Sequence, residues 1–248
     1  PLWLHEIEKY STQGMVAVPY GTLDERGQLV RHPPERYPGW PLRFHLATVP
    51  LLELPWAQLR GRDRASTSTE VTDRIVVPPE HHPYYTEKPA YLPHTFQTYD
   101  SQRRIAHRTL LRSEAGLPEQ GFVFCSFNNS YKFRPAVYDI WMRLLLEFEG
   151  SVLWLRSDSE TVTGNLRREA MARGVDPERL VFAPYVKRAE DHLARLRLAN
   201  LFLDTLPYNA QTTAADALWV GLPVLTCLGG ALPGRVAASV LAAVGLRE

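Results

Sequence analysis

The chain has 248 residues, 45% of them hydrophobic, which suffices for one large or two modest domains with apolar cores. A net charge of +1 gives no bulk attraction to nucleic acid or to a membrane surface, so neither is expected as a partner. No apolar run approaches the ~20 residues that cross a bilayer. The N-terminus, Pro1-Leu2-Trp3-Leu4-His5-Glu6, has neither a basic targeting region nor an initiator Met, so the sequence reads as a fragment or as lacking its native start. Cys125 and Cys227 lie in apolar runs without metal-ligand spacing and read as reduced core cysteines of a cytoplasmic protein.

Taken in chain order, the first third is irregular. Residues 20–70 are rich in Arg and Pro and sustain no period of 2 or 3.6; "RHPPERYPGWPL" is punctuation and "ASTSTE" a polar linker. A buried or amphipathic segment at 45–54 is the one candidate element there. Residues 71–100 hold two short strand candidates set between prolines.

From about residue 120 the pattern becomes regular. Apolar runs at 121–127, 151–156, 179–184, 200–205 and 223–226 read as strands. Helical patterns at 135–148, 160–173, 189–198, 212–220 and 235–244 alternate with them, Pro135 suiting a first helical turn. This alternation predicts a doubly wound α/β fold with a parallel sheet covered on both faces. Ligands of such sheets bind at the carboxyl ends of the strands. The loops 128–132 and 207–213 therefore share one edge.

Those loops hold the candidate residues. Thr212 and Thr213 open a helix whose first N–H groups lack intrahelical partners, a place that favours phosphate. A Thr before an apolar helix also serves as a plain N-cap. Asp216, one turn further on, has the chemistry to accept ribose hydroxyl protons, or else sits as a solvated charge near the helix N-terminus. Asn129 and Lys132 reach the same edge. Only Lys9, Lys88, Lys132 and Lys187 are lysines among 28 basic side chains, and an ammonium beside a leaving pyrophosphate stabilises charge as the bond breaks. The alternative is an exposed loop lysine. His192 and Arg195, three apart, share a helix face suited to a base, or belong to an ordinary amphipathic helix with its leucines inward.

Together, "FNNSYK", "SVLWLR", "GVDPERLVFAP", His192, "LANLFLDTLPYNAQTTAADALWVGLPVLT" and "RVAAS", with "TDRIVVPPE" and "YTEKPAYLPHTFQ" upstream, resemble the O-linked N-acetylglucosamine (O-GlcNAc) transferase family. The resemblance covers residues 71–244 and implies an inverting GT-B glycosyltransferase. It implies N-acetylglucosamine transfer from UDP-GlcNAc to Ser or Thr of an acceptor protein or peptide, with no metal and no cofactor besides the donor. By it, Lys132 stabilises the diphosphate as the catalytic residue and Asn129 supports it. Gln211, Thr212 and Thr213 hold the pyrophosphate, Asp216 the ribose, and His192 the uracil with Arg195 beside it. Residues 101–248 correspond to the UDP-sugar-binding lobe, cut at its C-terminus, and 71–100 to the end of the acceptor lobe and the linker. Residues 1–70 match the acceptor lobe poorly, which leaves that lobe incomplete or divergent. The alternatives are a protein N-glucosyltransferase using UDP-glucose and a non-catalytic UDP-sugar-binding remnant. Position 211 is Gln where many members have His, and "GGALPGR" stands where the family usually has Gly-Glu and then Arg.

Overall fold

A computed structural model of the chain describes residues 69–246, apart from Thr86 and Thr109, together with the backbone of three short strands upstream. These are β1 (Met15–Ala17), β2 (Gly21–Leu23) and β3 (Leu29–Arg31). The expectations for residues 1–70, the segment 45–54 included, otherwise lie outside the described residues.

The regular alternation folds as the sequence predicts. Strands β6 (Val123–Ser126), β7 (Val152–Arg156), β8 (Leu180–Ala183), β9 (Leu201–Leu203) and β10 (Val224–Cys227) are all mutually parallel. Between and after them come α1 (Pro135–Glu147), α2 (Glu160–Met171), α3 (Ala189–Leu196), α4 (Thr212–Trp219) and α5 (Val236–Ala243). Pro135 occupies the first turn of α1, where its missing N–H costs nothing, and Ser159 caps α2 by accepting from Val162 N at 3.3 Å.

The sheet order is β8-β7-β6-β9-β10, with β1 added antiparallel to β10. The sixth strand, β1, adds an antiparallel edge to the expected parallel sheet. Its three residues are too few to show a period of 2. The chain builds outward from β6 to β8, then returns to β9 on the other side of β6. Loops leaving β6 and β9 therefore diverge, and a crevice opens between them at the carboxyl edge.

Alternation along the strands supplies two cores. Phe124, Leu153, Leu155, Leu201, Leu203 and Leu225 pack with α1, which buries Val137, Tyr138, Trp141, Met142, Leu144 and Leu145 at helical spacing. Val123, Cys125, Trp154, Phe202 and Val224 face the opposite way, against Leu193 and Leu196 of α3, Ala214 and Leu218 of α4 and Val240 of α5. Each large apolar side chain so buried contributes about 1.5–3 kcal/mol. The two cores supply the apolar packing of the lobe.

Upstream, β4 (Thr69–Thr72) and β5 (Lys88–Tyr91) pair in parallel across a 3-10 turn, Pro79–Tyr84. Asp73 and Thr95 anchor this segment to α5 through Ser239. The buried Asp73 carboxylate accepts from Ile75 N at 2.8 Å, Val76 N at 2.9 Å, Phe96 N at 2.9 Å and Ser239 Oγ at 2.6 Å. Arg235 Nε adds a bond to Ile75 O at 2.6 Å.

Candidate functional site

The crevice between β6 and β9 is walled by two polar loops, and a buried carboxylate organises one of them. Asp204, 8% exposed, ends the apolar run of β9. It accepts from Thr205 N at 2.7 Å, Ala210 N at 2.5 Å and Thr226 Oγ1 at 2.5 Å, with Asn128 Nδ2 at 3.4 Å. Burial pushes its carboxyl up to about 6, against these bonds and the Lys132 charge, which pull it down. Thr205 Oγ1 donates to Tyr208 O at 2.6 Å, and Asn209 Nδ2 to Thr205 O at 3.0 Å. The loop is closed on itself.

The unusual "GGALPGR" stretch buttresses this loop from outside. Pro233 O accepts from Asn209 N at 2.7 Å. A Cβ at Gly234 would stand 2.8 Å from Pro207 O, and one at Gly229 would stand 2.9 Å from Gly234 O, so the close approach requires glycine at both.

Lys132 closes the short turn Ser130–Lys132 after β6. Its ammonium donates to Asn209 O at 2.9 Å and lies 4.1 Å from the centre of the Tyr208 ring. Partial burial lowers its pKa, opposed by Asp204. An ammonium has three donors, so two remain for an anion once the Asn209 carbonyl is satisfied. Asn129 precedes the turn, half-buried, and its carbonyl accepts from Lys132 N at 3.0 Å.

Thr212 and Thr213 are the first two residues of α4, and the capping position belongs to Gln211, whose side chain makes no capping bond. The reading of the threonines as plain N-caps is therefore set aside. Gln211 Nε2 donates instead to Gln97 Oε1 at 2.7 Å. Thr213 Oγ1 donates to Asn128 Oδ1 at 2.8 Å, and Asn128 Nδ2 to Thr205 Oγ1 at 3.0 Å, which ties α4 to both loops.

The other end of the crevice is charged. Asp216, 4% exposed, accepts at Oδ1 from Tyr99 Oη at 2.6 Å and is ion-paired with Arg103. It is not the solvated charge that its place near a helix start allowed. Its Oδ2 stands 3.8 Å from His192 Nε2. His192 Nδ1 accepts from Arg195, with Nη2 at 2.9 Å and Nε at 3.2 Å. Burial, then the Arg195 charge, depresses the imidazole to about 4, so it is neutral at pH 7 with its proton on Nε2. Arg195, 7% exposed, also donates to Pro184 O at 2.6 Å and lies 4.9 Å from the Phe127 ring centre. It meets the crevice through His192.

Asn129, Lys132, Gln211, Thr212 and Thr213 thus lie on loops and a helix start of the carboxyl edge, whereas His192 and Asp216 lie further along α3 and α4 and Arg195 lies in the last turn of α3. Sequence reasoning assigned nothing to Asn128, Asp204, Tyr99, Arg103 or Gln97. A lone Asp closing an apolar strand was the available signal for Asp204. Among the described residues no cluster of three His, Cys, Asp or Glu side chains suits a metal ion, and no helix is long and apolar enough to cross a membrane.

A parallel sheet whose order reverses beside a loop–helix start, with a lysine across the crevice, defines an open α/β lobe of the doubly wound class. The chain belongs to glycosyl transferase family 41, whose model matches residues 101–248. It is similar to the Arabidopsis thaliana probable UDP-N-acetylglucosamine--peptide N-acetylglucosaminyltransferase SEC, 34% identical over 183 residues, covering 71% of this chain and 18% of the relative. A Caenorhabditis elegans UDP-N-acetylglucosamine--peptide N-acetylglucosaminyltransferase is 39% identical over 146 residues, covering 58% and 13%. Among solved structures, a mutant of the Thermobaculum terrenum O-GlcNAc transferase superposes with a TM-score of 0.62 at 30% identity, covering 72% of this chain and 34% of that one. The chain spans less than a fifth of the length of both curated relatives. The GT-B-like α/β assignment for the lobe stands on this likeness together with the strand order.

Proposed function

We propose that this chain is the donor-binding part of an inverting protein glycosyltransferase. It moves N-acetylglucosamine from UDP-GlcNAc to serine or threonine hydroxyls of a protein or peptide. The observation that carries the reading is the convergence of the Lys132 ammonium and the N-terminus of α4 on one crevice between β6 and β9. The names of the relatives support the donor and the acceptor class.

In this scheme the acceptor oxygen attacks the anomeric carbon as the bond to the β-phosphate oxygen breaks, and UDP leaves. Lys132 and the first N–H groups of α4, with Gln211, Thr212 and Thr213, take up the charge that develops on the diphosphate. No metal or other cofactor enters the scheme. Asn129 shapes the turn that presents Lys132, Asp216 takes the ribose, and His192, backed by Arg195, takes the uracil. His192 is a poor general base, because Arg195 occupies Nδ1 and burial keeps the ring neutral far below pH 7. The hydroxyl proton therefore goes to a group other than His192. Reduced, buried Cys125 suits a cytoplasmic setting.

The test is incubation of the chain with radiolabelled UDP-GlcNAc and a Ser/Thr peptide, beside UDP-glucose and an Asn-containing peptide. The reading expects label on Ser or Thr from UDP-GlcNAc. Label on Asn from UDP-glucose, with none on Ser or Thr, contradicts it.

A further inference from the structure

The geometry points to Tyr99 and Arg103, which lie ahead of the parallel sheet, as positioning residues that turn one Asp216 oxygen toward a ribose hydroxyl. The inference rests on the reading of the crevice as a nucleoside diphosphate site. It adds two residues that neither the sequence motifs nor the strand order identified.

Asp216 Oδ1 is saturated. It takes the Tyr99 hydroxyl at 2.6 Å and the Arg103 guanidinium, and Arg103 Nη1 also donates to Tyr99 Oη at 2.7 Å. That leaves Oδ2, which faces His192 Nε2 across 3.8 Å. The gap is too long for a direct hydrogen bond, but one hydroxyl at ~2.7–2.9 Å from each atom fits across it. The two atoms demand different things of their ligand. Oδ2 needs a donor, while Nε2 carries the ring proton, because Nδ1 is occupied by Arg195, and so needs an acceptor. A hydroxyl is both. A phosphate oxygen is refused by Oδ2, and an aliphatic group satisfies neither. The chemical class that fits is an alcohol, such as one hydroxyl of a sugar ring.

Tyr99 and Arg103 are themselves held independently of Asp216. The Tyr99 ring packs on Trp219 at 5.4 Å between centroids, and Trp219 Nε1 donates to Arg103 O at 3.2 Å. Trp219 lies at the C-terminal end of α4 and Asp216 one turn before it, so the segment is fastened to the helix twice. Burial and the Asp216 carboxylate both raise the Tyr99 pKa, so the phenol remains a donor. The Arg103 charge offsets that of Asp216, which permits a carboxylate so little exposed. Fixing the carboxylate before the ligand arrives removes an ordering cost from binding.

The experiment is calorimetric titration of the 248-residue chain, Tyr99→Phe and Arg103→Gln with UDP and with 2′,3′-dideoxy-UDP, beside thermal unfolding of each. Tyr99→Phe keeps the ring on Trp219 and removes only the hydroxyl, so it remains informative should Arg103→Gln unfold. The unaltered chain should bind UDP about tenfold tighter than the dideoxy analogue. Each variant should lose about five- to tenfold on UDP and less than twofold on the analogue. Equal losses on both ligands, or no loss on UDP, overturn the positioning role. Equal binding of UDP and its analogue by the unaltered chain overturns it too, while leaving the diphosphate reading intact. An unaltered chain that binds neither nucleotide overturns that reading and this inference with it.

Discussion

The two ends of the crevice are built on opposite principles. On the Lys132 side a single buried carboxylate, Asp204, is surrounded by neutral donors from the loops that leave β6 and β9 and from Thr226 within β10. Every partner is supplied by the parallel sheet's own edge. On the Asp216 side, charges and aromatic rings pair across the fold, and two of the residues holding the carboxylate, Tyr99 and Arg103, are 117 and 113 positions away in sequence. The first arrangement fixes backbone and cannot be relaxed without loosening the lobe. The second fixes one side chain and can be altered with the lobe intact. Substitutions should therefore separate stability from ligand binding according to the side they touch.

The largest effect is expected at Asp204. Asp204→Ala leaves Thr205 N, Ala210 N and Thr226 Oγ1 without their acceptor, and should cost about 3–4 kcal/mol of stability in urea unfolding. Asp216→Ala should cost less than half as much in the same measurement, because its main partner Arg103 is partly exposed and can turn to water. Similar losses at the two positions would erase the contrast.

Lys132→Met comes next. If the ammonium acts on the leaving group, kcat should fall about 10²-fold while KM changes little. Steady-state kinetics with near-normal turnover would make Lys132 a loop lysine.

A smaller effect concerns pH. The His192 imidazole is depressed to about 4 in the fold, against 6.5 as its ordinary value. Its contribution is thus fully present above about pH 6.5 and is lost as the pH falls through about 4. Over that window the chain should lose about 2 kcal/mol that His192→Asn does not lose. Thermal unfolding of both between pH 7 and pH 4 checks this, and parallel curves would mean that the ring titrates normally.

The smallest is Thr213→Val, which removes one hydrogen bond to Asn128 and should weaken UDP binding by about 1 kcal/mol. An unchanged Kd would show that the link between α4 and the β6 loop does not shape the crevice.

Much of this was legible in the sequence because it is local. Apolar runs bounded by Gly and Pro located the five parallel strands within two residues at either end, and strand–helix alternation implied which edge is open to a ligand. Asn129, Lys132, Gln211, Thr212 and Thr213 sit on that edge for the same reason. What was not legible depends on pairing at a distance. Nothing near Tyr99 or Arg103 announces that they close over α4. Arg195, on an amphipathic helix, looks like a surface charge until Pro184 O, His192 and the Phe127 ring are found to satisfy it. Asn128 and Asn129 are indistinguishable by type. Direction decides between them, because Asn128 turns inward to Thr205 and Thr213. "GGALPGR" departs from the family's usual text and yet forms a buttress, since glycine is required where two loops touch.

The central claim is that the crevice between β6 and β9 holds a diphosphate, with the nucleoside as a secondary contributor. Titration of the chain with UDP and with uridine, at matched ionic strength, tests it most directly. Contacts from Lys132 and the N-terminus of α4 should make UDP bind about 100-fold tighter than uridine. Equal affinities for the two would contradict the claim.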